Sequence, residues 1–151
     1  MNMTTDATAK RQAWMSLLAK SRARDLARLW AGLGDNPGHT LLRAPEIGGV
    51  MVQGRAGAVG AAFNLGEMTV TRCSVKLDSG EVGHAYVQGR DKTKALQAAL
   101  ADALMQTDQA ARIEAQVLLP LRTNMASAAS ARAAKAAATK VDFFTMVRGE
   151  D

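Results

Sequence analysis

Cysteine is nearly absent: Cys73 stands alone in 151 residues. One thiol cannot make a disulfide framework, an all-cysteine zinc site or a self-contained iron–sulfur cluster. Aromatic residues are only 4% of the chain, and Tyr86 is the one aromatic in the predicted strands, whereas RNA-binding sheets rely on stacking rings. No run of 18 or more apolar residues occurs, so no membrane-spanning helix is expected. The first twenty residues contain no apolar stretch behind a basic region, which argues against a secretory signal, and the cysteine usage fits the cytoplasm. Large apolar side chains are scarce as well. Alanine accounts for 30 residues, while leucine, isoleucine, valine and phenylalanine together supply only 30 more. So thin a core leans on partners for part of its stability.

What is present is a basic chain of net charge +5 and pI near 9.8. The charge is spread, with a near-neutral middle: residues 44–89 carry 3 basic and 4 acidic groups, and no block of five like charges marks a nucleic-acid tail. A small basic nucleic-acid-binding α+β domain is the alternative that the pI and the arginines of residues 10–28 raise.

Periodicity predicts one domain over residues 1–151, of class α+β. A small antiparallel sheet of about four strands packs with several helices, and an extended C-terminal tail follows. Residues 8–33 read as two helices, because the stripe Trp14, Leu17, Leu18 is rotated from the stripe Leu26, Leu29, Trp30, Leu33. Ser21 is expected to cap the second helix. The run 34–38 is turn chemistry.

The sheet region covers residues 40–90. Thr40–Ala44 and Val50–Arg55 read as separate strands with Pro45 between them, and Gly57–Gly66 reads as a glycine-rich loop. Met68–Leu77 is the clearest strand. Its apolar parity shifts from Met68 and Val70 to Cys73, Val75 and Leu77, which requires either a bulge near Thr71–Arg72 or apolar burial on both faces. Asp78-Ser79-Gly80 is a hairpin turn and Val82–Gln88 the returning strand. Helices are expected over 91–139. Asp91 caps the first, Pro120 ends its continuation, and the alanine-dense Asn124–Thr139 is helix-prone with little but methyl groups to bury. Residues 140–151 form the tail, with Val141, Phe143, Phe144, Met146 and Val147 apolar on both faces of an extended segment. A two-sided apolar strand fits a groove or sheet edge of a partner.

Three features favour anions. Arg55 lies among Gly54, Gly57 and Gly60, where backbone N–H groups and a guanidinium can approach oxyanions, although a plain surface turn explains the same residues. Glu67, Thr69 and Thr71 share one strand face, with Arg72 opposite or bulged out. Arg90 and Lys92 flank a helix start. No metal site is expected, since His39, His84 and Cys73 have no ligand spacing. His84 reads as a half-buried, satisfied imidazole, and Cys73 as a small buried hydrophobe.

The runs Arg11-Gln12-Ala13-Trp14-Met15-Ser16, Gly66-Glu67-Met68-Thr69-Val70-Thr71-Arg72, Tyr86-Val87-Gln88-Gly89-Arg90-Asp91-Lys92 and Asp102-Ala103-Leu104-Met105-Gln106 occur in order. Val141-Asp142-Phe143-Phe144-Thr145-Met146-Val147-Arg148-Gly149 closes the series. Together these runs, spanning residues 10–149, resemble the PhnG family of the bacterial carbon–phosphorus lyase system. The resemblance implies a subunit of a core complex with PhnH, PhnI and PhnJ, two copies of each. That complex turns ATP and an alkylphosphonate into adenine and alpha-D-ribose 1-methylphosphonate 5-triphosphate. It also implies that the nucleosidase-like chemistry belongs to PhnI, that the radical step and its iron–sulfur cluster belong to PhnJ, and that this chain holds no cofactor of its own. The resemblance carries over no catalytic residue. The chemistry itself calls for cations to let a phosphonate dianion approach a triphosphate-bearing sugar, and for a carboxylate near the developing oxocarbenium ion. Arg55, Arg72, Arg90 and Glu67 are the candidates.

Overall fold

The computed structural model of the chain describes residues 3–34 and 36–141. Two helices open it, α1 (Met3–Lys20) and α2 (Ala23–Leu33). The break falls at Ser21 and Arg22, as the rotated apolar stripes require. Ser21 plays a different part from the one expected. It is buried and its hydroxyl donates to the Leu18 carbonyl at 2.8 Å, so it closes α1, while Arg22 takes the N-cap position of α2 without a side-chain cap. Gly34 ends α2 at φ +71°, a left-handed conformation that favours glycine.

The sheet has three antiparallel strands in the order β1 (His39–Arg55), β2 (Ala62–Leu77) and β3 (Val82–Gln88). It is one strand short of the sequence expectation because the two short segments around Pro45 are a single strand. Proline is tolerated there because β1 is the sheet's edge and the pairing with β2 shifts register between Arg43 and Glu46, so the missing donor interrupts no ladder bond. The run Gly57–Gly66 is also not one loop: a tight 3₁₀ turn covers Ala56–Ala58, and β2 has begun by Ala62. The shift in apolar parity has the second of its two explanations. Pairing of β2 with β3 runs in unbroken register from Val70↔Gln88 to Lys76↔Val82. Thr71, Cys73, Val75 and Leu77 are buried on one face, while Val70 is buried on the other. The turn at residues 78–81 forms as expected, with the Leu77 N–H bonded to the Glu81 carbonyl at 2.9 Å and Gly80 at φ +113°.

Helix α3 (Lys92–Leu104) starts where Asp91 accepts from the Lys94 N–H at 2.8 Å. It lies across β2 and β3, with α1 and α2 packed against it. This sandwiched position explains burial beyond one stripe, from Ala95 through Ala98–Ala101 to Asp102 and Ala103. Gly83 on β3 permits the contact, since a Cβ there would stand 2.0 Å from the Ala99 carbonyl oxygen.

Pro120 does not end the next helical section. It sits in the first turn of α5 (Leu119–Ala138), after the short α4 (Ala110–Ile113) and a π-helical turn over Glu114–Leu118. The Leu119 N–H reaches back five residues to the Glu114 carbonyl, and this wider turn lets the chain continue through a residue with no N–H. Leu118 and Leu121 enter the core, but residues 129–140 of the alanine-rich end are exposed. Val141 is exposed; Phe143, Phe144, Met146 and Val147 lie outside the described residues.

Candidate functional site

The helices cover one face of the sheet, and the chemistry-bearing side chains are on the other. Since alternate residues of β2 face outward, Arg72 and Ser74 project from the open face beside their β3 partners Tyr86 and His84. Arg72 Nη1 donates to the Tyr86 hydroxyl at 3.4 Å, with the guanidinium carbon 5.9 Å from the ring centroid. On the other side Arg72 Nη2 stands 3.4 Å from Glu46 Oε1. The hydrogen bond it donates to Tyr86, then the charges of Tyr86 and Glu46, hold the guanidinium pKa above its ordinary value. Arg72 Nε is shielded and has no hydrogen-bond partner among the described residues. One rung along, the Ser74 hydroxyl and His84 Nδ1 are 2.9 Å apart. His84 is thus satisfied as expected, but exposed rather than half-buried.

The other anion candidates lie elsewhere. Arg55 pairs with Ala62 at the far end of the β1–β2 hairpin. Ala62 is ten residues along β2 from Arg72, or about 33 Å at 3.3 Å per residue. There Arg55 Nη1 donates to the Gly60 carbonyl at 3.2 Å. Gly57 has φ +57°, and a Cβ at Gly60 would meet the Ala56 carbonyl oxygen at 2.6 Å, so the turn itself accounts for both glycines. Glu67 pairs with Met51 and faces the opposite way from Arg72. Arg90 is exposed in the turn to α3, next to Gly89, whose carbonyl is held by the Thr71 hydroxyl at 2.7 Å on the helix-covered side. Of the four candidates only Arg72 joins a cluster. Its carboxylate neighbour is Glu46, which the sequence did not single out because the bulged pairing around Pro45 hides the register.

A second surface lies beyond β3. The pairing of β2 with β3 stops at Val70, so β2 from Ala62 to Met68 and the facing part of β1 continue as a two-stranded ribbon. Phe63 and Leu65 project from one side of it, both within 4 Å of a Cβ built at Gly54, and Leu65 is 67% exposed. Met51 and, at the tip, Val59 are exposed as well. The signal available in the sequence was the apolar content of Ala61-Ala62-Phe63-Asn64-Leu65, which the surrounding glycines disguise as a loop.

The shared motifs also meet in space. Arg11, Trp14 and the His84 N–H all donate to Asp102, which is fully buried. Gln106 Nε2 and Arg11 Nη2 share the Val82 carbonyl at 2.8 and 3.2 Å. Cys73 is buried and its thiol pKa is pushed up by that burial, as suits an unreactive thiol. No group of three or more metal-ligating side chains occurs among the described residues, and no described helix is long and apolar enough to cross a membrane.

Residues 9–149 match the family model described as phosphonate metabolism protein PhnG. A protein of Rhizobium meliloti (strain 1021), named alpha-D-ribose 1-methylphosphonate 5-triphosphate synthase subunit PhnG, is 45% identical over 148 residues, covering 95% of this chain and 92% of that protein. Neither comparison points to nucleic acid.

Proposed function

Because this chain belongs to the PhnG family of phosphonate metabolism proteins, we propose that it is a non-autonomous subunit of a cytoplasmic carbon–phosphorus lyase core complex. Its partners are the PhnH, PhnI and PhnJ subunits, with PhnI its most direct neighbour. In that complex an alkylphosphonate oxygen bonds to the ribose anomeric carbon of ATP as the bond to adenine breaks and adenine takes up a proton. The product is alpha-D-ribose 1-methylphosphonate 5-triphosphate when the phosphonate is methylphosphonate. ATP is a substrate of the whole assembly, the iron–sulfur cluster resides in PhnJ, and this chain carries no cofactor. Taken alone, the chain does not turn over substrate.

The observation that carries this reading is the β1–β2 ribbon. It extends past the third strand with Phe63, Leu65, Met51 and Val59 exposed, an arrangement with no purpose in an isolated soluble domain but suited to a neighbour's surface. Val141, Phe143, Phe144, Met146 and Val147 are a second partner-binding segment, following the exposed end of α5. Tagged protein from phosphate-starved cells should co-purify with PhnH, PhnI and PhnJ, identified by mass. Phe63→Ser with Leu65→Ser should keep the cooperative unfolding of the wild type and lose those partners. Recovery of the wild-type chain without them would overturn the proposal.

A further inference from the structure

Arg72, Ser74, Tyr86 and His84 occupy the four corners of one sheet rectangle. Cross-strand neighbours there are about 5 Å apart and strand neighbours about 7 Å, so all four side chains can reach a single tetrahedral group above the face. Each carries a hydrogen-bond donor or can present one: the guanidinium, two hydroxyls and an imidazole. Existing contacts commit the Arg72 donors only weakly, whereas the Ser74 hydroxyl and His84 Nδ1 share a bond of 2.9 Å. Both Arg72 contacts are 3.4 Å long, beyond the usual range for a strong charged pair, and its shielded Nε–H has no partner among the described residues. A guanidinium held over a tyrosine ring by long contacts keeps its planar fork available for a second, bidentate acceptor. Among the described residues Glu46 is the one carboxylate in contact with Arg72; it is half-exposed, and such surface ion pairs are weak enough to yield to a dianion.

We propose that the open sheet face at Arg72, Ser74, His84 and Tyr86 is an oxyanion site for phosphoryl or phosphonyl oxygens. Arg72 supplies the charge and the fork, Tyr86 and Ser74 supply hydroxyl donors, and His84 sets the orientation of Ser74. Glu46 holds Arg72 in place when the site is empty and competes with the ligand when it is filled. The site stands on the sheet geometry alone. Its assignment to the complex's substrates rests on the proposed function, and the triphosphate of ATP and the alkylphosphonate are the two sources of the same chemistry.

Inorganic tripolyphosphate and methylphosphonate, titrated separately into the full-length chain, provide the test, read by nuclear magnetic resonance at the Arg72 Nε–H and His84 ring signals. Saturable shifts at both residues with either anion are expected. Arg72→Gln should abolish the His84 shifts, and Arg72→Lys should restore only part of the affinity. Glu46→Gln should tighten binding several-fold. Absence of shifts with both anions, or His84 shifts unchanged in Arg72→Gln, would overturn the site. In the assembled complex, Arg72→Gln should raise KM for ATP or for methylphosphonate by about tenfold, at unchanged subunit composition. Whichever KM moves identifies the source, and no change in either overturns the substrate assignment. Failure of the wild-type chain to assemble would defeat the proposed function while leaving the titration to judge the site.

Discussion

Arg11 and Asp102, 91 positions apart, meet in a forked ion pair that fastens α1 to α3: Nε donates to Oδ1 at 3.1 Å and Nη2 to Oδ2 at 2.7 Å. The Trp14 indole N–H adds a bond of 2.8 Å and the His84 backbone N–H one of 2.9 Å. A fully buried carboxylate with four donors is satisfied, and its charge is neutralised by a partner that itself reaches solvent. Arg11, Trp14 and Asp102 therefore hold α1, α3 and β3 together.

Asp102→Ala should be among the most damaging single substitutions, since it leaves the Arg11 guanidinium, the indole and a strand N–H without their acceptor. A loss of about 3–5 kcal/mol is expected, measured by urea unfolding. Arg11→Ala in the Asp102→Ala background should cost far less than in the wild type. Additive losses would contradict the coupling.

Lys94 gives a pH signature. It is 4% exposed, and its ammonium donates to the Ala19 carbonyl at the end of α1 at 2.9 Å. Burial lowers its pKa below 10.5, with Asp91 opposing the shift. A lysine depressed in the folded state penalises folding while protonated. Wild-type stability should therefore rise relative to Lys94→Met as pH climbs from the folded Lys94 pKa to 10.5. Urea midpoints of the two proteins at pH 7.5 and 10.5 check this. A gap independent of pH would contradict it.

Local chemistry was legible in the sequence, and pairing partners were not. The helix break at Ser21, the Asp91 cap and the turn before Val82 depend on neighbouring residues and were found. A strand break at Pro45 and a helix stop at Pro120 are the sequence expectations because both rules assume an interrupted hydrogen bond. An edge position in one case and a π-helical turn in the other remove that assumption. The cluster around Arg72 depends on which residues of β1 and β3 lie opposite it. Only Arg72 was singled out there as an anion candidate, and its separation from Arg55 by the length of the ribbon could not be read from composition.

Gly83→Ala should separate α3 from β3, because the new Cβ would meet the Ala99 carbonyl oxygen at 2.0 Å and the Ala103 nitrogen at 2.7 Å. Both are helix backbone atoms that cannot turn aside. A cost of about 3 kcal/mol is expected, or a melting temperature lower by roughly 10 °C, measured by calorimetry. An unchanged melting temperature would show that the helix–strand contact is looser than described.

The most direct test of the central claim is adenine release from ATP and methylphosphonate by reconstituted PhnH, PhnI and PhnJ subunits, with and without this chain. Release is expected with the complete set, little without this chain, none from this chain alone, and loss of activity when Phe63→Ser with Leu65→Ser replaces the wild type. Equal release with and without the chain would show that it has no part in the transfer.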